Sequence, residues 1–392
     1  LKKLLLYIAI GVVGCLPSLG QSKDLLFKTL TTKDGLSYNL VNCLLQDREG
    51  YVWVGTFNGL NRYDGSRFMV FKYDRNQPHS IAHNNITTLC EDTTGDIWVG
   101  TPNGVSRYNK QSNLFINYLL ETSSGDAARE NDVSNILCDH KGTIWAASLG
   151  GLYEFLPGSN AFKRYKYDSA DLTSLSSNRV HRNAMVLDPV RQLIWMGTVS
   201  GLNCFDIDKK VAYNYRNNPQ QLPIFDKHNT YPLSFDKQNR LVYGDYNRNQ
   251  LVYYTPATKH MEVTDSVVSI NVKKNPAQLS NIFFDKDNNV WVSGWNYTVS
   301  YKDAHAGGWQ DLVHDEANAA SIGSDFFWDA LQAKNGVIYI GGIYGLSVYN
   351  PVNSYYTAYR TLLSLPELKA SPNFNSVTED EQGRLWLANS GM

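Results

Sequence analysis

A phrase written eight times along 392 residues predicts an all-β fold: a seven-bladed β-propeller of four-stranded antiparallel blades, with the start of a second propeller at the C-terminus. Three observations predict it. The stretch "DREGYVWVGTFNGLNRYD" at 47–64 returns as "DTTGDIWVGTPNGVSRYN" at 92–109. Anchored on the Trp after the first turn, copies fall at Trp53, Trp98, Trp145, Trp195, Val242, Trp291, Tyr339 and Trp386, at intervals of 45 to 50 residues. Between anchors, apolar residues alternate and Gly or Asn recurs at roughly 8–12-residue spacing, which fits short strands and excludes stacked helices.

The elements follow in order. Lys2 and Lys3, the apolar run Leu4 to Val13 and the small residues of Ser18-Leu19-Gly20 make residues 1–20 an export signal. Its apolar run would rise only about 15 Å as a helix, half of a bilayer core. Val12-Val13-Gly14-Cys15 resembles a lipobox, so lipidation at Cys15 is the alternative. "LLFKTLTT" at 25–32 reads as a fourth strand that lacks a blade of its own, placed to complete blade seven and close the ring. Each copy then gives an alternating strand, an Asp-x-x-Gly turn, a strand through the Trp, a second turn, a third strand and a variable fourth.

In the first turn the Asp side chain caps and the Gly supplies a left-handed backbone. Asn239 and Asn288 stand where Gly50, Gly95 and Gly142 stand in other copies, and Asn is the next residue most tolerant of that conformation. One such sheet is apolar on both faces, and a ring of blades buries them all. The propeller is assigned to 21–352, and 353–392 to the opening strands of the second, with 355–359 as a spare fourth strand. An eight-bladed ring is disfavoured because its last blade would lack two strands.

Composition narrows the function. With 43% hydrophobic and 19% charged residues the chain can bury a core. A formal net charge of −1 gives no basic stripe for nucleic acid. Cys43, Cys90, Cys138 and Cys204 are scattered among copies at different phases, which predicts free thiols on strands rather than a disulfide framework.

The phrases "DGLSYNLVNCLLQDREGYVWVGTFNGLNRYDG" and "HNNITTLCEDTTGDIWVGTPNGVSRYN" resemble the two-component regulator propeller repeat. That repeat builds the periplasmic sensors of hybrid two-component histidine kinases in Bacteroidetes. The resemblance implies a periplasmic, ligand-sensing domain of a parent anchored in the inner membrane. It implies recognition of an oligosaccharide or other small ligand, control of carbohydrate-utilisation genes, homodimerisation through the full-length sensor, and membrane contact only through segments downstream. It fixes no ligand residue, because those vary with the sugar sensed.

Chemistry was sought beside it. The sequence has no nucleotide-binding box, no phosphate loop, no Gly-x-Ser-x-Gly elbow and no Cys-x-x-Cys zinc spacing. His79 and His83 are four apart, in a loop. Most Asp residues sit at the repeated turn. The reading is therefore non-enzymatic, with no catalytic residue, cofactor, metal or bound nucleic acid. The competing readings are a secreted polysaccharide lyase or glycoside hydrolase and a non-signalling scaffold.

Candidate ligand residues come from departures from the repeat in the loops of one face. Blades one and two offer Tyr38, Asn58, His83 and Asn103, with Asn39, Phe57 and Asn84 beside them. Blade four offers Arg179 and His181. Blades five and six lose the Asn-Gly turn and show Tyr246, Arg248, Trp295 and Tyr297, the aromatic and polar mixture that sugar recognition uses. Blade seven offers Trp328 and Tyr344, with Phe327 nearby.

Overall fold

The computed structural model describes residues 25–122, 126–245, 250–263, 279–294, 298–305, 308–351, 374–379 and 385–389. Seven four-stranded antiparallel sheets form one unit that ends at Tyr349. Blade one is Val41–Gln46, Val52–Thr56, Gly59–Tyr63 and Phe68–Phe71, in that order. The first strands of the next blades are Thr88–Glu91, Val133–Cys138, Val180–Leu187, Thr230–Phe235, Leu279–Phe284 and Phe327–Gln332. Each of these touches the first strands of the blades on both sides, and that of blade seven touches that of blade one. The first strands therefore line the axis of a closed ring.

Blade seven takes its outer strand from the other end of the chain. Phe27–Leu30 pairs antiparallel with Gly345–Tyr349, in the register Phe27↔Tyr349 to Leu30↔Leu346. Phe27 and Leu30 are buried in the clusters that join blade seven to its two neighbours. Beyond the propeller, Phe374–Glu379 and Leu385–Asn389 form an antiparallel hairpin belonging to a separate unit. The spare strand expected at 355–359 lies outside the described residues.

The turn Asp does more than cap. Asp47 accepts the Tyr51 amide on one oxygen and the Trp53 indole N–H on the other, at 2.9 and 2.8 Å. Asp92 and Trp98, Asp139 and Trp145, Asp188 and Trp195, and Asp285 and Trp291 repeat the pairing at 2.7 to 3.5 Å. The indoles lie fully or almost fully buried between blades, so each needs a partner for its N–H. Where Val242 replaces the Trp, the Arg240 guanidinium donates to Asp236 instead, at 2.7 Å. In blade seven both partners change together, to Ala333 and Tyr339.

Two small-residue positions answer different demands, one for a left-handed backbone and one for close approach. Gly50, Gly95 and Gly142 have φ of 97°, 93° and 85°, and Asn239 and Asn288 sit at 59° and 62°. Gly55 faces the next blade: a Cβ there would lie 2.3 Å from Cys43 Sγ and 2.7 Å from Ile86. Cys43 and Cys204 are buried and Cys90 and Cys138 half-buried, all four as free thiols.

The first strands are bulged where they reach the axis. In blades one, three, five, six and seven one extra residue stands against the second strand, at Val41/Cys43, Val133/Asn135, Thr230/Leu233, Leu279/Asn281 and Phe327/Asp329. Blade four departs from this. Its register passes from Val180↔Thr198 to Met185↔Met196, so His181 to Ala184 stand opposite Gly197 alone. Asn183 turns to φ 56° within this bulge. The larger bulge carries Arg182 and Asn183 to the axis.

Candidate functional site: the axial mouth and the cleft beside it

Antiparallel strands return the chain to the same side twice per blade. Loops leading into first strands and turns between second and third strands therefore share one face. Around the axis on that face stand the bulges of blades four and seven. Arg182 places its guanidinium 5.7 Å from the Trp328 ring centroid. Trp328 is itself steadied edge-on by Phe326, with centroids 4.8 Å apart.

The bulges are tied together by amides. Asn183 Nδ2 donates to the Trp328 carbonyl at 2.8 Å, and Asn281 Nδ2 donates to the same oxygen. Asn135 Nδ2 donates to the His181 carbonyl at 2.8 Å. Below this layer a polar cavity of about 260 Å³ runs along the axis, lined in part by Asn135, Asn183, Asn281 and Asp329. The Asp329 carboxylate accepts the Leu44 and Ala330 amides, both at 2.8 Å. Burial dominates all the same and pushes its pKa up to about 7. At the mouth, burial also raises Asp132, partly offset by Arg182 and His83.

A larger cleft of about 630 Å³ opens on the same face beside blades three and four. Tyr167, Tyr215, Ser177, Asn178 and Arg179 line it, and the short helix Ala127–Glu130 contributes Arg129 and Glu130. Both tyrosines are braced by cations: Arg216 lies 4.9 Å from the Tyr167 centroid and Lys227 5.0 Å from that of Tyr215. Glu130 is engaged by both terminal nitrogens of Arg164, at 3.2 Å each. Arg179 is exposed and makes no ion pair with any described residue.

The residues singled out from the sequence divide sharply. Arg179 lines the cleft and Trp328 stands at the mouth. His181 bonds Asn229 through Nε2 and lies against Tyr231, with centroids 4.6 Å apart, and burial holds its imidazole below the ordinary range. Tyr38 is exposed beside Phe57, with ring centroids 6.0 Å apart, and Tyr344 is exposed beside His314 at the same separation. His83 is exposed and accepts the Asn85 amide. The backbones of Asn58 and Asn103 serve their turns, donating to Thr56 and Thr101 hydroxyls at 3.1 Å. Asn39 and Asn84 accept backbone amides of Thr32 and Tyr73. Phe327 is core, fully buried. Tyr246, Arg248, Trp295 and Tyr297 lie outside the described residues.

Arg182, Asn183, Tyr167 and Tyr215 were not singled out. For the first two a signal existed: the interval from Trp145 to Trp195 is 50 residues, the longest between anchors. The tyrosines had none, since they lie in variable segments that the repeat does not align.

Comparison with known proteins now has a geometry to explain. Residues 35–58 and 80–103 match the two component regulator propeller family, and both stretches run from a loop on the mouth face through the Trp strand to the next turn. Two copies of the repeat thus match that family's model. In this chain, 62 residues are 39% identical to histidine kinase P4 of Formosa agariphila, a match over 16% of the chain and 4% of that protein. An extracellular domain assigned to a hybrid two component system of B. thetaiotaomicron superposes with a TM-score of 0.66 at 19% identity, over 94% of this chain and 47% of that one. The chain thus spans about half of that domain. Virginiamycin B lyase from Staphylococcus aureus shares the fold at a TM-score of 0.60 and 10% identity, over 83% of this chain and 98% of that one. Among the described residues no helix is long and apolar enough to cross a membrane.

Proposed function

We propose that the propeller is the ligand-binding part of a longer two-component sensor, that its ligand is an oligosaccharide, and that it binds without altering it. One observation carries the ligand class. The cleft joins two braced tyrosine rings to Ser177, Asn178 and Arg179 within about 630 Å³. Aromatic faces suit the C–H patch of a sugar ring, and hydroxyl, amide and guanidinium groups suit its hydroxyls. The repeat family and the kinase relative support the sensory role. Export through residues 1–20 would place the sensor in the periplasm. Ligand binding would shift how two full-length sensor chains pack, and segments beyond this chain would carry the change to a kinase that controls carbohydrate-utilisation genes.

The test is calorimetry of the exported propeller against a panel of oligosaccharides, with the recovered glycan examined for cleavage. Saturable binding of an intact glycan is expected, weakened about five- to tenfold by Tyr167→Ala or Tyr215→Ala. A shortened or unsaturated product would instead place the propeller among polysaccharide-degrading enzymes.

A further inference from the structure

Among the described residues Arg182 has no hydrogen-bond or ion-pair partner of the kind its chemistry calls for. A guanidinium carries five N–H donors and cannot shed its charge. Half-buried at the axial mouth, this one makes no hydrogen bond to any described residue and no ion pair within 4.0 Å. Burial works against its charge, with Cys43 and Asp132 only partly offsetting it. Cys43 supplies no anion, because burial and the nearby Asp329 carboxylate keep its thiol protonated. Asp132 acts through space, from the loop before Val133. A charge left this way in a folded protein calls for an explanation.

The backbone shows that the placement is built. Among the bulges of the ring, that of blade four alone is enlarged, and the enlargement holds Arg182. Asn183, the next residue, is pinned at φ 56° by its bond to the Trp328 carbonyl, which ties blade four to blade seven across the axis. The indole of Trp328 then lies with its ring centroid 5.7 Å from the guanidinium carbon. Cys43 and Asp132 bear on it only through space, and the neighbouring His181 is engaged by Asn229.

We propose that Arg182 and Trp328 form an oxyanion subsite, so that the ligand of the propeller is an acidic sugar: its carboxylate or sulfate group is held by the Arg182 fork beside the indole. A guanidinium matches a carboxylate or a sulfate group in charge and can give either two parallel hydrogen bonds. Arg179 lies three residues along the same strand entrance and lines the cleft, so one acidic oligosaccharide reaches from the tyrosines to the mouth. This rests on the ligand-binding reading of the face, but the subsite can be tested without knowing the natural ligand.

The probe is iodide, an anion that quenches indole fluorescence on contact. Titrated into the propeller, iodide should quench with a saturable component that is absent from Trp328→Phe and from Arg182→Gln, while quenching by neutral acrylamide is the same in Arg182→Gln as in the parent. Galacturonate or galactose 6-sulfate should displace the iodide, and galactose should not. Which of the two displaces it better identifies the oxyanion. Arg182→Gln should weaken the better competitor at least about tenfold and leave the melting temperature unchanged or higher, since no bond is lost. Linear iodide quenching, identical in the parent and Arg182→Gln, overturns the subsite. Saturable quenching that neither acid displaces overturns the acidic-sugar class. Failure of Tyr167→Ala to weaken any glycan counts against the cleft reading and leaves the subsite result standing.

Discussion

Asp47 shows how much a repeated residue can carry. Its two oxygens accept the Tyr51 amide, the Trp53 indole N–H and, from blade two, the Lys110 ammonium at 2.9 Å. The sequence made the turn role legible; the indole and the lysine were hidden because one lies six residues away and the other 63. Asp47→Ala strands a buried N–H and takes from the Lys110 ammonium one of its carboxylate partners, leaving Glu91, and should cost about 3 kcal/mol in chemical denaturation. Asp329 gives the opposite sign. Its folded pKa of about 7 stands above the ordinary 3.8, so the unfolded chain loses this proton first as pH rises. That contribution to stability falls between about pH 4 and about pH 7 and then levels off. Melting curves across this range should show a slope in the parent that Asp329→Asn flattens; equal slopes would refute the assignment.

At the scale of the strand and turn, the interchange of Gly and Asn was legible, and its cause is a left-handed backbone at that position. Asn288→Gly should be tolerated, whereas Asn288→Ala, forced to φ 62°, should lose about 1 kcal/mol. The glycine after the Trp strand carried a different reason, one that needs the neighbouring blade to be seen. Gly55→Val drives a side chain into Cys43 and Ile86 and should cost roughly 1–3 kcal/mol by overpacking, read as a lower denaturation midpoint. The blade-four insertion was visible as a long interval between anchors, but an interval does not say whether extra residues lengthen a loop or swell a strand. Here they do the latter, and so Arg182 reaches the axis while Arg179 and His181 stay at the rim.

For the whole molecule, closure is the controlling fact. A strand that precedes the first copy without a blade was legible as a closing strand, because an odd strand must pair with something. Removing Phe27–Leu30 takes away two buried side chains worth roughly 2 kcal/mol each and bares the edge of Gly345–Tyr349. The shortened chain should melt earlier and self-associate on a sizing column. The ligand face was legible only as a direction, since loops diverge in sequence while strands repeat; its tyrosines and its guanidinium emerged once the blades were set in a ring. The most direct measurement is titration of the intact propeller with an acidic oligosaccharide, its neutral counterpart alongside, and analysis of what is recovered. Saturable uptake of the acidic chain, returned whole and lost on changing Tyr167 or Arg182, is the predicted result. Cleaved sugar, or uptake indifferent to both residues, would contradict it.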